Sequence, residues 1–151
     1  MQLSEHFSLE ELIASEIAAR RGIDNTPSEP IVASLRVLAA GLEHVRAALG
    51  GRPIHVSSGY RCAALNHAVG GAATSAHMDG LAADILCPQF GPPLAVCKAI
   101  VGAGIKTDQI IHEFGQWCHV AFAPPTQVAR GQLLTIASAA QGYRQGLTAI
   151  A

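Results

Sequence analysis

Leu81-Ala82-Ala83-Asp84-Ile85-Leu86-Cys87 is nearly continuous apolar sequence, interrupted once, by Asp84. Such a run, entered from Gly80, reads as a buried β-strand. A carboxylate inside it is expensive unless it is paired or binds a metal. Its partner could be an arginine, a capped loop or a cation. Two histidines bear on that choice: His77, seven residues upstream across the Gly80 bend, and His119, within the separate apolar run Cys118-His119-Val120-Ala121-Phe122. Either ring alone would more often be a satisfied core residue. With Asp84 they make a candidate ligand set for one zinc ion that leaves a fourth tetrahedral position open, as in catalytic rather than structural sites.

Working outward, Gln109-Ile110-Ile111-His112-Glu113-Phe114 and Cys118 to Phe122 read as two strands joined by a turn containing Gly115, the second ended by Pro124-Pro125. Pro53 to Ser58 alternates like a short strand that delivers the chain to a turn at Gly59, and Gln132 to Ile136 forms one last strand. Ser8 and Glu11 make a capping box that starts a short helix. After Ser28-Glu29-Pro30, the residues Ile31, Leu35, Leu38, Leu42, Val45 and Leu49 recur at steps of four and three, which predicts a helix to about residue 48, stopped by Gly50-Gly51. Arg61 to Val69 has helical composition, and Pro92-Pro93 opens another helix from Leu94 to about Val101. Helices come first and strands cluster late, which favours an α+β fold with helices packed on one face of an antiparallel sheet. One domain is expected over residues 1–137, with a loose tail over 138–151, rich in Ala, Gly and Gln.

Composition narrows the function classes. The chain has 151 residues, 50% hydrophobic and 14% charged, with a formal net charge of -1 and no basic block. A disordered chain is excluded, and neither nucleic acid nor an anionic membrane is an expected partner. No run approaches the roughly 18 apolar residues of a membrane span. The N-terminus, with Glu5, His6, Glu10 and Glu11, lacks the pattern of a signal peptide. The expectation is a monomer made in the cytoplasm that needs separate release to act outside it. Cys62, Cys87, Cys97 and Cys118 have no C-x-x-C spacing and read as buried free thiols, a Cys87 to Cys97 bridge being the alternative. His44, His55, His67 and His112 read as structural or surface residues.

The pattern Ser57-Ser58-Gly59-Tyr60-Arg61, Leu65-Asn66, Val69-Gly70-Gly71, Ser75-x-His77-x-x-Gly80-x-Ala82-x-Asp84 and Trp117-x-His119-Val120 resembles the zinc D-alanyl-D-alanine peptidases of family M15. It is most similar to the short single-domain members frequent in phages and prophages. The similarity runs over roughly residues 3 to 136 and includes Gly22-Ile23-Asp24-Asn25. It implies a hedgehog/DD-peptidase-like fold with the metal in the sheet cleft, and zinc held by His77, Asp84 and His119. It also implies a peptidoglycan stem peptide as substrate and action at the cell wall after holin-dependent or phage-borne delivery. Related dipeptidases carry their catalytic glutamate three residues before the last histidine, where this chain has Gln116. Hedgehog-type domains, similar in fold, carry one six residues before it, where this chain has Glu113.

Hairpin geometry bears on the same choice. A three-residue loop Gly115-Gln116-Trp117 would pair Phe114 with Cys118 and set Glu113 opposite His119, leaving Gln116 at the turn. Glu113 is then the expected general base. Arg61 is a guanidinium fork suited to a carboxylate, and the resemblance implies that it binds the substrate carboxylate or polarises the scissile carbonyl. Ser75 would hydrogen-bond substrate or steady the loop, and Tyr60 and Trp117 would line the cleft or equally belong to the core. The resulting reading is a zinc metallopeptidase, as D,D-carboxypeptidase or endopeptidase. The departure at Gln116 supports an alternative, a catalytically idle zinc-binding module such as a phage structural or wall-binding component.

Overall fold

A computed structural model describes residues 1–151. Ser8 caps the first helix, α1 (Leu9–Ile13), its hydroxyl accepting from the Glu11 amide. The expected single N-terminal helix is in fact two. Ser15 is a second cap, accepting from Ala18, and starts α2 (Glu16–Arg21), which Gly22 closes in the left-handed conformation. Helix α3 (Glu29–Ala48) has Pro30 in its first turn and buries Leu35, Leu38, Leu42 and Val45 completely. Each such aliphatic side chain contributes roughly 1.5–3 kcal/mol by leaving water, so this helix anchors the core. The remaining helices are α4 (Ala63–Ala68) and α5 (Pro93–Gly102), close to their expected positions.

Six strands form one sheet in the order β1-β2-β4-β3-β5-β6: β1 (His55–Ser58), β2 (Ala82–Leu86), β3 (Gln109–Glu113), β4 (Trp117–Ala121), β5 (Gln132–Ile136) and β6 (Tyr143–Gln145). All pairings are antiparallel except β3 with β5, which is parallel. The far edge of β4 is already held by β2, so β5 adds beyond β3 and runs in the same direction as it. The architecture is the expected α+β fold. The tail, expected to be loose, instead docks. Tyr143–Gln145 pairs with β5, the Thr135 hydroxyl donates to the Gly146 carbonyl at 2.8 Å and accepts from the Thr148 amide at 3.0 Å, and His112 Nδ1 meets the Thr148 carbonyl at 2.9 Å. Composition does not announce such a strand, because an open sheet edge recruits backbone rather than apolar side chains.

The two faces of the sheet differ. Ala83, Ile85, Ile110, Cys118 and Val120 point into the main core with α3 and with Val96, Cys97 and Ile100 of α5. Ile111, Leu134 and Ile136, on the alternate positions, make a separate small cluster with Phe114. All four cysteines are free, so Cys87 and Cys97 are not bridged, and burial pushes the Cys118 thiol up, with Cys97 beside it. No helix is long and apolar enough to cross a membrane.

Gly41 marks where α3 meets the end of the sheet: a Cβ there would lie 2.5–2.6 Å from three atoms of the Phe122 ring. Gly41→Ala is expected to destabilise the protein by about 1–3 kcal/mol through overpacking, in spite of alanine's higher helix propensity. Gly102→Ala, at the end of α5 with nothing within 4 Å, should be neutral or stabilising by up to roughly 1 kcal/mol. Urea unfolding of the two variants checks both signs.

Candidate metal centre and active site

β2 and β4 set two of the three candidate ligands opposite each other, Asp84 with His119. Directly opposed residues share a face with Cβ atoms about 4.5–5.5 Å apart. The third ligand, His77, comes from a 3-10 turn, Ala76–Asp79, whose cap is Ser75: its hydroxyl accepts from the His77 amide at 3.2 Å. Gly80, with φ of 70°, then turns the chain back into β2. Asp84 Oδ1 lies 3.2 Å from His77 Nε2 and 3.0 Å from His119 Nδ1, and one ligand atom from each of the three residues falls within 4.8 Å of the others. The three are 1%, 6% and 5% exposed, His77, Asp84 and His119 respectively.

The donor set fits a divalent cation. His77 Nδ1 lies 2.7 Å from the Gly59 carbonyl, which can only accept, so Nδ1 carries the proton. A neutral ring of that tautomer turns a bare Nε2 lone pair toward a carboxylate oxygen, and two acceptors 3.2 Å apart need a positive charge between them or a protonated ring. The backbone carbonyl behind the ring is also the outer contact that metal-binding histidines commonly have. Burial works to raise the Asp84 carboxyl, but His77 and His119 outweigh it and hold the group well below the usual range, so it stays anionic. Two imidazole nitrogens and one carboxylate oxygen make an open zinc-type set.

Glu113 belongs to the same face by a different register from the one expected. The ladder pairs Ile111 with His119 and Glu113 with Trp117, so the loop is Phe114-Gly115-Gln116. Phe114 takes a φ of 58° and Gly115 one of 66°. The expected pairing of Glu113 with His119 is therefore off by two residues, an even slip that preserves the face. Glu113 Oε1 still lies 3.6 Å from His119 Nδ1. Burial raises its carboxyl to about 7, held back by His119 and Arg61 and pushed further by Asp84. Gln116 is exposed in the turn, its amide donating to the Glu113 carbonyl.

Arg61 leaves the β1–α4 loop half-buried, with its Nε unpartnered. Burial draws the guanidinium down from its usual value, opposed by the charges of Asp84 and Glu113. Tyr60, expected to line the cleft, is 9% exposed and packs in the main core. Trp117 is half-buried and meets Phe114 edge-on at 5.6 Å. Ser75 acts on His77 through the cap already described. His44, His55 and His67 are exposed and apart from the centre.

The roles of two supporting groups escaped the reading of the sequence. Asn25 is buried and donates to the carbonyls of Ile13 and Tyr60 at 2.9 and 3.0 Å, while its Oδ1 accepts from the Cys62 amide at 2.8 Å. It thus clamps the residues on either side of Arg61; in the sequence it stood only as the last residue of Gly22-Ile23-Asp24-Asn25, within the span of the resemblance. Gly59 was expected to make a turn, yet it is absent from the positive-φ residues. Its role is space: a Cβ there would run into the Leu12 carbonyl of α1. The Gly59 carbonyl is the one that holds His77, so Gly59→Ala is expected to displace it and to weaken zinc binding about 10–100-fold, measured by competition with a chromophoric chelator. His77→Ala or Asp84→Asn should abolish stoichiometric binding.

The family model described as Peptidase M15 matches residues 5–121, a span holding all of α1 to β4 and every residue of the centre. No curated protein matches the chain. The matched span covers most of the chain, and with the three converging ligands it shows that this protein belongs to peptidase family M15, a family of metallopeptidases.

Proposed function

We propose that the protein is a zinc metallopeptidase that hydrolyses peptide bonds in peptidoglycan stem peptides at the cell wall, as D,D-carboxypeptidase or endopeptidase, with Glu113 as general base. The observation that carries this reading is the convergence of a carboxylate on the ligand set: Glu113 Oε1 stands 3.6 Å from His119 Nδ1, on the face shared with Asp84. His77, Asp84 and His119 would hold the ion. Bound there, zinc supplies Lewis acidity, polarising a carbonyl and lowering the pKa of a coordinated water to about 7. The protein's own residues do the rest. Glu113 takes a proton from the attacking water at its carboxylate and returns it to the leaving amine. Arg61 donates to a substrate carboxylate or to the scissile carbonyl from the β1 side, where partial burial strengthens the charge-assisted contact. Asn25 fixes the loop that carries Arg61, and Ser75 and the Gly59 carbonyl fix His77.

Gln116 was the reason to consider an idle module. It is exposed in the hairpin turn while Glu113 lies on the face of the ligands, which supports the strand residue as the acid the chemistry needs. Digestion of purified peptidoglycan by the zinc-loaded protein, read by mass spectrometry of the fragments, tests the proposal. Glu113→Gln should lower the rate about 10²–10⁴-fold with zinc content retained, whereas Gln116→Ala should cleave within a fewfold of wild type. A wild-type protein that binds zinc and releases no fragments would sink the peptidase reading, and full activity in Glu113→Gln would sink the assignment of the base.

A further inference from the structure

The face that carries the candidate ligands continues beyond Glu113 to the far edge of the sheet. Two ladder rows cross it. One runs Asp84, His119, Ile111, Leu134, Gln145, and its neighbour runs Trp117, Glu113, Ile136, Tyr143. Paired residues share a face, so Tyr143 and Gln145 of β6 stand on the side of Asp84, His119 and Glu113. They lie at the opposite edge from the loop that presents Arg61. Between the two edges Ile111, Leu134 and Ile136 close into a floor 4–7% exposed, whereas Tyr143 is 57% exposed. Partial burial and the charges of Glu113 and Asp84 raise the Tyr143 phenol, in keeping with the same-face placement that the ladder gives it. β6 has only three residues, yet it is pinned: the Gly146 amide donates to the Leu133 carbonyl at 2.8 Å and the Thr135 hydroxyl to the Gly146 carbonyl. The whole element lies outside the residues that match the family model.

We propose that Tyr143, with Gln145 beside it, is a specificity-determining subsite for the part of a peptide substrate on the N-terminal side of the cleaved bond. The proposal rests on the peptidase reading, with Arg61 on the C-terminal side. Two strand spacings separate β3 from β6, about 10 Å, and extended peptide advances roughly 3.3 Å per residue. A substrate lying across the strands therefore reaches Tyr143 about three residues before the cleaved bond. There the phenol ring offers a flat apolar surface and a hydroxyl, and the Gln145 amide offers a donor and an acceptor to peptide backbone.

The test uses the full zinc-loaded chain and a nested set of synthetic stem peptides that carry the cleaved bond, some stopping one residue before it and others continuing for three or four. Wild type should show kcat/KM rising about three- to tenfold with the longer peptides, chiefly through KM. Tyr143→Ala should lose that rise, and Tyr143→Phe should keep the part due to the ring. A rise that persists in Tyr143→Ala, or wild type that treats short and long peptides alike, would overturn the subsite. Binding separates this from failure of the peptidase reading. Trp117, the single tryptophan, neighbours Glu113 in the same row, so its fluorescence reports occupancy even without turnover. If nothing is cleaved, tighter binding of the long peptide to wild type than to Tyr143→Ala still supports the subsite, and equal binding refutes it.

Discussion

Asp84 is a carboxylate held in the middle of a sheet, with both edges of its strand paired and two imidazoles against one of its oxygens. An isolated buried carboxylate costs several kcal/mol, and removing one partner of a buried pair costs about 3–5 kcal/mol. The surroundings follow from that constraint. β2 is otherwise Ala, Ala, Ile and Leu, which pack without competing for the charge. His119 is brought by the neighbouring strand and His77 by a capped turn whose backbone hydrogen bonds leave little freedom. The site is assembled from three separate segments, so its geometry depends on the sheet register and on the close approach at Gly59 rather than on any local motif.

The asymmetry of the sheet separates stability from chemistry. One face takes nearly all the large apolar side chains together with α3 and α5. The other takes the ligands, Glu113 and a three-residue apolar cluster. Alternation along each strand does this residue by residue: in β4, Cys118 and Val120 point to the helices while Trp117 and His119 point to the site. Charged groups are therefore concentrated where a dication would be balanced, and the helical side keeps, besides its apolar residues, buried thiols, Tyr60 and His112. A chain with only 14% charged residues can still build a strongly polar centre, because that centre needs only four acids and imidazoles and one guanidinium.

The helices and most strands were legible because each rests on a local rule. Pro30 and the leucine stripe define α3, Pro92-Pro93 defines the start of α5, and the broken apolar run defines β2. Three features were not. The second N-terminal helix depends on one extra capping serine, Ser15, in a stretch too short for periodicity to register. The hairpin loop begins one residue early because Phe114 adopts the positive φ that turn rules assign to glycine. The β6 strand is held by backbone and by Thr135, neither of which leaves a hydrophobic pattern. The first is a local side-chain cap, and in the other two the deciding feature is a backbone geometry or a tertiary contact that the side chain does not advertise.

The hairpin shows why a wrong register can leave a right face. In an antiparallel pair the residues that share a face with His119 are those at even steps from its partner. With Ile111 as that partner the set on β3 is Gln109, Ile111 and Glu113; with Glu113 as partner the set is unchanged. Only an odd slip would have sent Glu113 into the helical core and His112 to the metal side. His112 is instead buried behind the sheet, its ring against the Thr148 carbonyl. Gln116 belongs to neither set, because it lies in the loop where strand parity no longer holds. An acid three residues before the last histidine would start from this turn and have to reach back along β4, whereas an acid at 113 is delivered by the pleat itself. The position of the carboxylate is thus a consequence of strand parity, which tolerates a change in loop length only in even steps.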